Sequence, residues 1–310
     1  MTSSQSIPKN TRKPYIPGIV PRLLTWVFLN PPRKRDARTP MTELGLPYDR
    51  WALTAPDGIS LDAWHIPHSA PRGVCIVSHG YASNKGNMLL YAEHLHPLGF
   101  SIVMHDFRGS GESGGKGTTF GVQEQQDLRA TIAAARAAYP GLPVVLLGES
   151  MGASISLMVA ADDPDISAVI ADSPFARLDE PITKHLEMVF GPKVAQLVTE
   201  PTTTFGATVL GVHPYDVAPE ASIHQMTDTP LLLVHGTDDN LIPVSHTHRL
   251  ATAYPGDPEI WIVDGTRHTE IIHRKPAEYA KKLEGFLKQI PASPKEEHPH
   301  GHQPNHFGHH

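Results

Sequence analysis

The stretch Val144-Val145-Leu146-Leu147-Gly148-Glu149-Ser150-Met151-Gly152 carries the strongest structural signal in this 310-residue chain. Four apolar residues predict a buried strand, and the apolar run that follows has helical length. A serine between glycines at such a junction is typical of a sharp strand-to-helix turn, where the serine is strained and its hydroxyl is exposed. Only glycine tolerates the close approach of the chain two positions before and after it. We therefore predict that Ser150 is a nucleophile, the alternative being an ordinary tight turn.

Short apolar runs rich in β-branched residues recur on both sides of this stretch. They occupy residues 74–78, 101–105, 144–147, 168–171, 231–234 and 259–263. Helical patterns lie between or after them at 84–96, 121–138, 151–161, 244–253 and 275–289. Continuous apolar strands suit a parallel sheet that is buried on both faces. The alternation therefore predicts a doubly wound α/β fold with a mostly parallel sheet, preceded by two strands over 49–68 around a Pro-Asp-Gly turn.

One interval, about 176–229, interrupts the alternation because it contains no clear strand. It is too long for a loop between two core strands, so we predict a small helical cap inserted over the carboxyl edge of the sheet. Its apolar residues could line an acyl-binding site or could simply pack the cap on the body. They are Leu186, Met188, Val189 and Phe190.

The remaining domain boundaries follow from the two ends of the chain. We predict that residues 1–48 form a partly helical lead, and that residues 49–290 form the main domain, which contains the cap. The tail, 291–310, ends with six histidines between His298 and His310. Because this segment cannot bury apolar surface, we expect it to be disordered.

The composition excludes some classes of function. The chain is 40% hydrophobic and 19% charged, with a formal net charge of −6, and its basic residues form no long stripe. We therefore expect no nucleic-acid partner. The single cysteine, Cys75, lies in an apolar run and predicts a core side chain without an intramolecular disulfide. A cytoplasmic location is expected.

The lead contains an apolar stretch over residues 15–29. Pro17, Pro21 and Arg22 interrupt it, and the uninterrupted remainder is too short to span a bilayer. Two interpretations remain: a short helix packed on the domain body, or an interfacial anchor aided by the basic cluster 33–35. Peripheral membrane contact through residues 15–35 is thus a hypothesis, and the oligomeric state is not predicted.

A serine hydroxyl needs a base, and the base needs a carboxylate that orients it. His268 lies on a turn after the last predicted strand, and Asp239 follows the strand before it. We select His268 as the base and Asp239 as the acid. Asp238 and Asp172, each also placed just after a strand, remain alternatives, and His268 could instead be a loop histidine.

The oxyanion that forms during acyl transfer needs fixed hydrogen-bond donors. Met151 offers its backbone N–H at the first turn of a helix. The second donor should come from the loop after the first parallel strand, where Gly80 permits close approach and Tyr81 N–H is the candidate. His79 is expected to brace this loop.

Several motifs occur in order along the chain. They are His79-Gly80-Tyr81, Asp106-Phe107-Arg108-Gly109-Ser110-Gly111-Glu112-Ser113-Gly114, Gly148-Glu149-Ser150-Met151-Gly152, Asp172-Ser173-Pro174-Phe175, His235-Gly236 with Asp239 and Pro243, and His268. Together these motifs resemble the α/β-hydrolase superfamily, specifically its bacterial, small-capped, esterase-like serine hydrolases. The similarity runs from about residue 50 to 290, and the lead is longer than in many relatives.

This resemblance implies a catalytic triad of Ser150, Asp239 and His268, and an oxyanion hole formed by the N–H groups of Tyr81 and Met151. It also implies a structural turn around Asp106 and Arg108. The expected activity is hydrolysis of small-molecule carboxylic esters of small to medium acyl groups through an acyl-serine, without a cofactor or metal. The alternatives are a thioesterase, acyltransferase or peptidase on the same scaffold, or a catalytically silent fold that binds a ligand.

Overall fold

A computed structural model describes residues 18–291, so the first 17 residues and the predicted His-rich tail lie outside the described part. The strands are β1 (Asp49–Thr54), β2 (Ser60–Ile66), β3 (Gly73–Ser78), β4 (Phe100–His105), β5 (Val144–Glu149), β6 (Ile166–Asp172), β7 (Leu231–Gly236) and β8 (Glu259–Val263). The helices are α1 (Ile19–Leu29), α2 (Pro40–Leu44), α3 (Leu89–Leu95), α4 (Glu124–Ala138), α5 (Met151–Ala161), α6 (Asp179–Phe190), α7 (Pro192–Leu210), α8 (Pro219–Ser222), α9 (Ser245–Ala253), α10 (Ile271–Arg274) and α11 (Pro276–Leu287).

The eight strands form one sheet in the order β1-β2-β4-β3-β5-β6-β7-β8. β1 and β2 pair antiparallel with each other, and β2 is antiparallel to β4, whereas all pairs from β4 to β8 are parallel. Buried apolar side chains form one cluster on each face of the sheet. The predicted doubly wound, mostly parallel α/β fold is therefore confirmed, and Cys75 is fully buried in β3.

Two helices begin later than their periodicity suggests, and in both cases a polar side chain explains the shift. The segment predicted as a helix over 84–96 starts with a 3₁₀ turn, because the Asn84 side chain accepts a hydrogen bond from Gly86 N–H. The helix predicted from residue 121 begins at Glu124. Its carboxylate accepts hydrogen bonds from the N–H groups of Thr119 and Gly121, which keeps that segment folded as a loop.

The interval after β6 is helical and contains α6, α7 and α8. α1 packs against α7: the Thr25 hydroxyl donates to the Thr202 carbonyl over 3.0 Å, and the Arg22 guanidinium lies over the Phe205 ring. The amino-terminal helix is thus held by this interval of the chain. Among residues 18–291, none of the helices is both long enough and apolar enough to cross a bilayer.

Candidate active site

Ser150 occupies the junction between β5 and α5, with φ 53° and ψ −114°. Positive φ is a strained conformation for a residue with a Cβ atom. A Cβ atom on Gly148 would lie 2.4 Å from Ala153 N, and one on Gly152 would lie 2.3 Å from Ser78 O. Both glycines are therefore required by backbone contacts, and together they permit the sharp turn that exposes Ser150.

His268 approaches this serine from the loop that follows β8. Its Nε2 atom lies 2.9 Å from Ser150 Oγ, within hydrogen-bond distance. The next residue, Thr269, has φ 55°, and its N–H donates to Ser173 Oγ at the end of β6 over 3.3 Å. This contact ties the loop of His268 to the neighbouring strand end.

Asp239 lies behind His268, with Oδ2 2.6 Å from His268 Nδ1. Its other oxygen, Oδ1, accepts hydrogen bonds from the N–H groups of Leu241 and Ile242, at 3.0 and 2.8 Å. These two bonds orient the carboxylate so that Oδ2 faces the imidazole.

A second histidine, His235 at the end of β7, also contacts Asp239. Its Nε2–H donates to the Ile242 carbonyl over 2.7 Å and lies 3.2 Å from Asp239 Oδ2, while its Nδ1 accepts from the Thr247 hydroxyl. Burial acts to raise the pKa of Asp239, but the hydrogen bonds from His235 and His268 outweigh it, so that the pKa lies well below its usual range. Asp239 is therefore held as an anion, which can stabilise an imidazolium.

The two other candidate acids lie elsewhere. Asp238 is exposed, and its carboxylate contacts the Thr237 hydroxyl. Asp172 is fully buried and accepts hydrogen bonds from the hydroxyls of Tyr91, Tyr279 and Ser173. Among Asp238, Asp239 and Asp172, Asp239 is the one that contacts His268.

The loop after β3 lies directly against the serine, since a Cβ atom on Gly80 would be 3.3 Å from Ser150 Cβ. His79 is buried and braces this loop: Phe107 N–H donates to its Nε2, and its Nδ1–H donates to the Gly80 carbonyl. Tyr81 is therefore on the segment that borders Ser150, and Met151 is the first residue of α5. This arrangement is compatible with the two N–H donors selected from the sequence.

A cavity of about 70 Å³ opens at Ser150, and its lining is almost entirely apolar. The lining residues are Phe28, Tyr81, Phe120, Ser150, Met151, Phe175, Leu178, Pro181, Ile182, His185, Leu241 and Ile242. The apolar cap residues selected from the sequence are absent from it: Leu186 is buried, whereas Met188, Val189 and Phe190 are exposed. The reason is the orientation of α6, because the face of this helix that points to the cavity carries Ile182 and His185.

Phe28, from the amino-terminal helix, was not recognised as a site residue from the sequence. The hydroxyl of Tyr81 donates to the Phe28 carbonyl over 2.9 Å, and burial raises the pKa of Tyr81 to about 12, so this donor stays protonated. Pro21, Thr25 and Phe28 recur at helical spacing on the inward face of α1. This spacing indicates that one face of α1 is packed against the protein, but it does not reveal which surface the helix covers.

The structural turn around Asp106 and Arg108 consists of two separate ion-pair networks. Asp106 pairs with Lys85, whose ammonium also lies 2.8 Å from Asp62. Arg108 pairs with Asp127 and Asp57, in both cases at 2.6 Å. The two residues therefore anchor different neighbours and do not bridge to each other.

The arrangement can move a proton from Ser150 Oγ to His268 Nε2 while Asp239 holds the opposite ring nitrogen. This is the geometry by which a hydroxyl becomes a nucleophile at neutral pH. Within residues 18–291, no group of three or more His, Cys, Asp or Glu side chains is arranged to hold a metal ion.

The sequence is similar to that of known proteins. A family model described as serine aminopeptidase, S33, matches residues 69–208. The chain is 31% identical to an uncharacterized Bacillus subtilis protein, YqkD, over 75% of this chain and 77% of that protein. It is 28% identical to a monoacylglycerol lipase of Mycolicibacterium smegmatis, over 62% of this chain and 79% of the lipase.

The fold is also similar to that of solved structures. An esterase of Pyrococcus furiosus superposes with a TM-score of 0.71 and 27% identity, covering 84% of this chain and 99% of the esterase. With the strand order, the position of the serine turn and these relatives in agreement, the chain belongs to the α/β-hydrolase superfamily.

Proposed function

We propose that the protein is a serine hydrolase that cleaves carboxylic esters through an acyl-serine intermediate. The observation that carries this proposal is the continuous contact from Asp239 through His268 to Ser150, at 2.6 and 2.9 Å. Three side chains from three different strand ends meet there in the order that acyl transfer requires.

In the acylation step, His268 Nε2 removes the proton from Ser150 Oγ as the oxygen attacks the ester carbonyl carbon. Asp239 accepts the hydrogen bond from His268 Nδ1–H and stabilises the imidazolium. The N–H groups of Tyr81 and Met151 bind the oxyanion. His268 then donates its proton to the alkoxy oxygen, and the alcohol leaves.

In the second step, His268 removes a proton from water, and the resulting hydroxide attacks the acyl-serine. The tetrahedral intermediate collapses, Ser150 recovers its proton from His268, and the carboxylic acid is released. No cofactor enters either step.

The cavity at Ser150 supports an uncharged, apolar acyl group of small to medium size. It is small, at about 70 Å³, and the side chains of Phe28, Phe120 and Ile182 lie among its apolar walls. The similarity to a monoacylglycerol lipase and to an esterase supports the ester as the bond that is cleaved.

Peptide hydrolysis is the second candidate, because the matching family model is described as a serine aminopeptidase. An aminopeptidase must bind a free α-ammonium group close to the scissile bond, and a carboxylate is the usual partner for such a charge. Among the described residues that line the Ser150 cavity, none is an acid. We therefore favour an ester over a peptide as the substrate.

Labelling with a fluorophosphonate followed by peptide mapping tests the nucleophile. We expect the label on Ser150, its loss in Ser150→Ala, and its retention in the control Ser245→Ala, which alters an exposed serine at the start of α9. Labelling of Ser150→Ala at the wild-type level would refute the proposal.

A substrate series then separates the candidates. We expect p-nitrophenyl acetate and butyrate to be cleaved faster than the palmitate, and amino-acid p-nitroanilides to be cleaved slowly. Faster cleavage of the anilides would favour the peptidase. Ester product formed with added alcohols in preference to the free acid would favour an acyltransferase, and label without turnover of any substrate would favour a ligand-binding fold.

A further inference from the structure

The outer face of α1 is unusually apolar for a surface helix. Six of its side chains point to solvent, and five of these are large apolar residues that are each at least half exposed. They are Ile19, Val20, Leu23, Trp26 and Val27, and the sixth residue is Arg22. A surface helix normally turns its polar face to water, so α1 has apolar residues on both faces.

The helices α6 and α7 add further exposed apolar side chains near α1. α1 runs antiparallel to α7, because Arg22 contacts Phe205 whereas Thr25, further along α1, contacts Thr202. Leu197 and Val209, near the two ends of this packed pair, are 74% and 54% exposed. At the turn between α6 and α7, Met188, Val189 and Phe190 are exposed as well. We call the outward apolar residues of α1, together with these five, the apolar face.

The charge around α1 differs in sign from the charge of the whole protein. Residues 1–35 contain seven Lys and Arg residues and neither Asp nor Glu, in a chain whose net charge is −6. Three of the seven, Lys9, Arg12 and Lys13, precede α1 in the sequence, and the cluster 33–35 follows it. Within that cluster Arg35 pairs with a glutamate and Arg33 donates to two backbone carbonyls, whereas Lys34 is exposed. An apolar helix flanked by basic residues is the pattern by which helices lie in the headgroup region of an anionic bilayer.

We propose that the apolar face docks on the surface of an anionic membrane, with the apolar side chains of α1 in the interfacial region and the net positive charge of residues 1–35 attracted to the anionic headgroups. A second copy of the chain fits this face less well. A symmetric dimer through it would bring together two copies of residues 1–35, which carry seven Lys and Arg residues and no acidic residue to offset the repulsion.

The test uses the full-length protein and vesicles of phosphatidylcholine, with or without 30% phosphatidylglycerol. We expect the protein to cosediment with the anionic vesicles, and this binding to weaken as the salt concentration is raised. Binding should also shift the tryptophan fluorescence to shorter wavelength, and this shift should be absent in Trp26→Phe. The triple variant Leu23→Ser/Trp26→Ser/Val27→Ser should partition at least about 100-fold more weakly. The triple variant Lys9→Gln/Arg12→Gln/Lys13→Gln should lose about fivefold per charge on anionic vesicles.

The matched control is Ile260→Ser, which removes an exposed apolar side chain from the edge strand β8 and should bind vesicles as wild type does. Leu23, Trp26, Val27 and Ile260 do not line the Ser150 cavity, so turnover of a soluble short-chain ester checks that the variants at these positions are folded. Circular dichroism checks the folding of the remaining variant. Wild-type protein that fails to bind anionic vesicles would overturn the proposal. Normal binding by the Leu23→Ser/Trp26→Ser/Val27→Ser variant would also overturn it. A dimer seen by light scattering in the wild-type protein but not in this variant would overturn it as well.

Discussion

The carbonyl oxygen of Phe28 accepts a hydrogen bond from the Tyr81 hydroxyl at 2.9 Å, and this contact joins the amino-terminal helix to the loop beside Ser150. The Phe28 ring also packs edge-to-face on Phe120 and on His185, with centroids 6.4 and 5.4 Å apart. A segment that precedes the α/β domain in the sequence therefore completes the wall of the cavity.

Replacing Phe28 by alanine should enlarge this cavity. We expect the ester preference to shift toward longer acyl chains, with a gain of several-fold for octanoate relative to acetate, because the space of the ring becomes available. The ratio of kcat/KM values across a p-nitrophenyl ester series measures the shift. Leu23→Ala, on the outer face of the same helix, should leave the ratio unchanged, and an equal change in both variants would contradict the assignment of Phe28.

Asp239→Asn should lower kcat by roughly 10³- to 10⁴-fold, because the amide cannot stabilise the imidazolium and favours the wrong tautomer of His268. Asp238→Asn, at an exposed position that does not contact the imidazole, should retain nearly full activity. Steady-state kinetics on p-nitrophenyl butyrate, with circular dichroism as the check on folding, distinguishes the two. Comparable losses in both variants would mean that Asp239 has no special role.

Glu149, next to the nucleophile, should make the stability of the protein depend on pH. Burial, together with the nearby Asp172 carboxylate, raises the pKa of Glu149 to about 8 from an ordinary value of 4.5. At a pH between these two pKa values, Glu149 is protonated in the folded protein but ionised in the unfolded chain. Stability should therefore decrease as the pH rises from about 4.5 to about 8, and the loss should be complete above that range.

Glu149→Gln removes this ionisation while keeping the shape of the side chain. We expect the free energy of unfolding of the variant, from urea titrations at pH 5.5, 7 and 9, to fall less steeply with pH than that of wild type. The variant should be the more stable of the two at pH 9. Parallel pH curves would show that Glu149 does not carry this dependence.

Gly152→Ala should prevent folding or cost several kcal/mol, because its Cβ atom would lie 2.3 Å from Ser78 O and 2.6 Å from His79 O, both backbone atoms that cannot move aside. Gly285→Ala is the matched control. This exposed glycine lies inside α11 with open space around the Cβ position, so alanine should stabilise the protein by about 0.5–1 kcal/mol. Thermal unfolding of both variants measures the contrast, and similar midpoints would contradict the steric account of the serine turn.

Much of the fold could be predicted from local sequence. The runs around Val77, Leu147 and Val234 are continuous and apolar because these strands are buried on both faces, and the alternation with helices determines the doubly wound order. The starts of helices were less predictable. Glu124 begins α4 late because its carboxylate binds loop N–H groups, a contact that periodicity does not encode.

The sequence by itself determined the strand-to-helix turn at Ser150, because the pattern of a buried strand, Gly-Glu-Ser-Met-Gly and a helical run is local, and the steric demand for Gly148 acts between residues close in the chain. Only the tertiary structure decided which carboxylate faces His268 and which residues line the cavity. Neighbouring turn residues point in different directions, and the direction of Asp239 depends on the N–H groups of Leu241 and Ile242. The contribution of Phe28 depends on how a helix distant in sequence packs, and no local pattern specifies that.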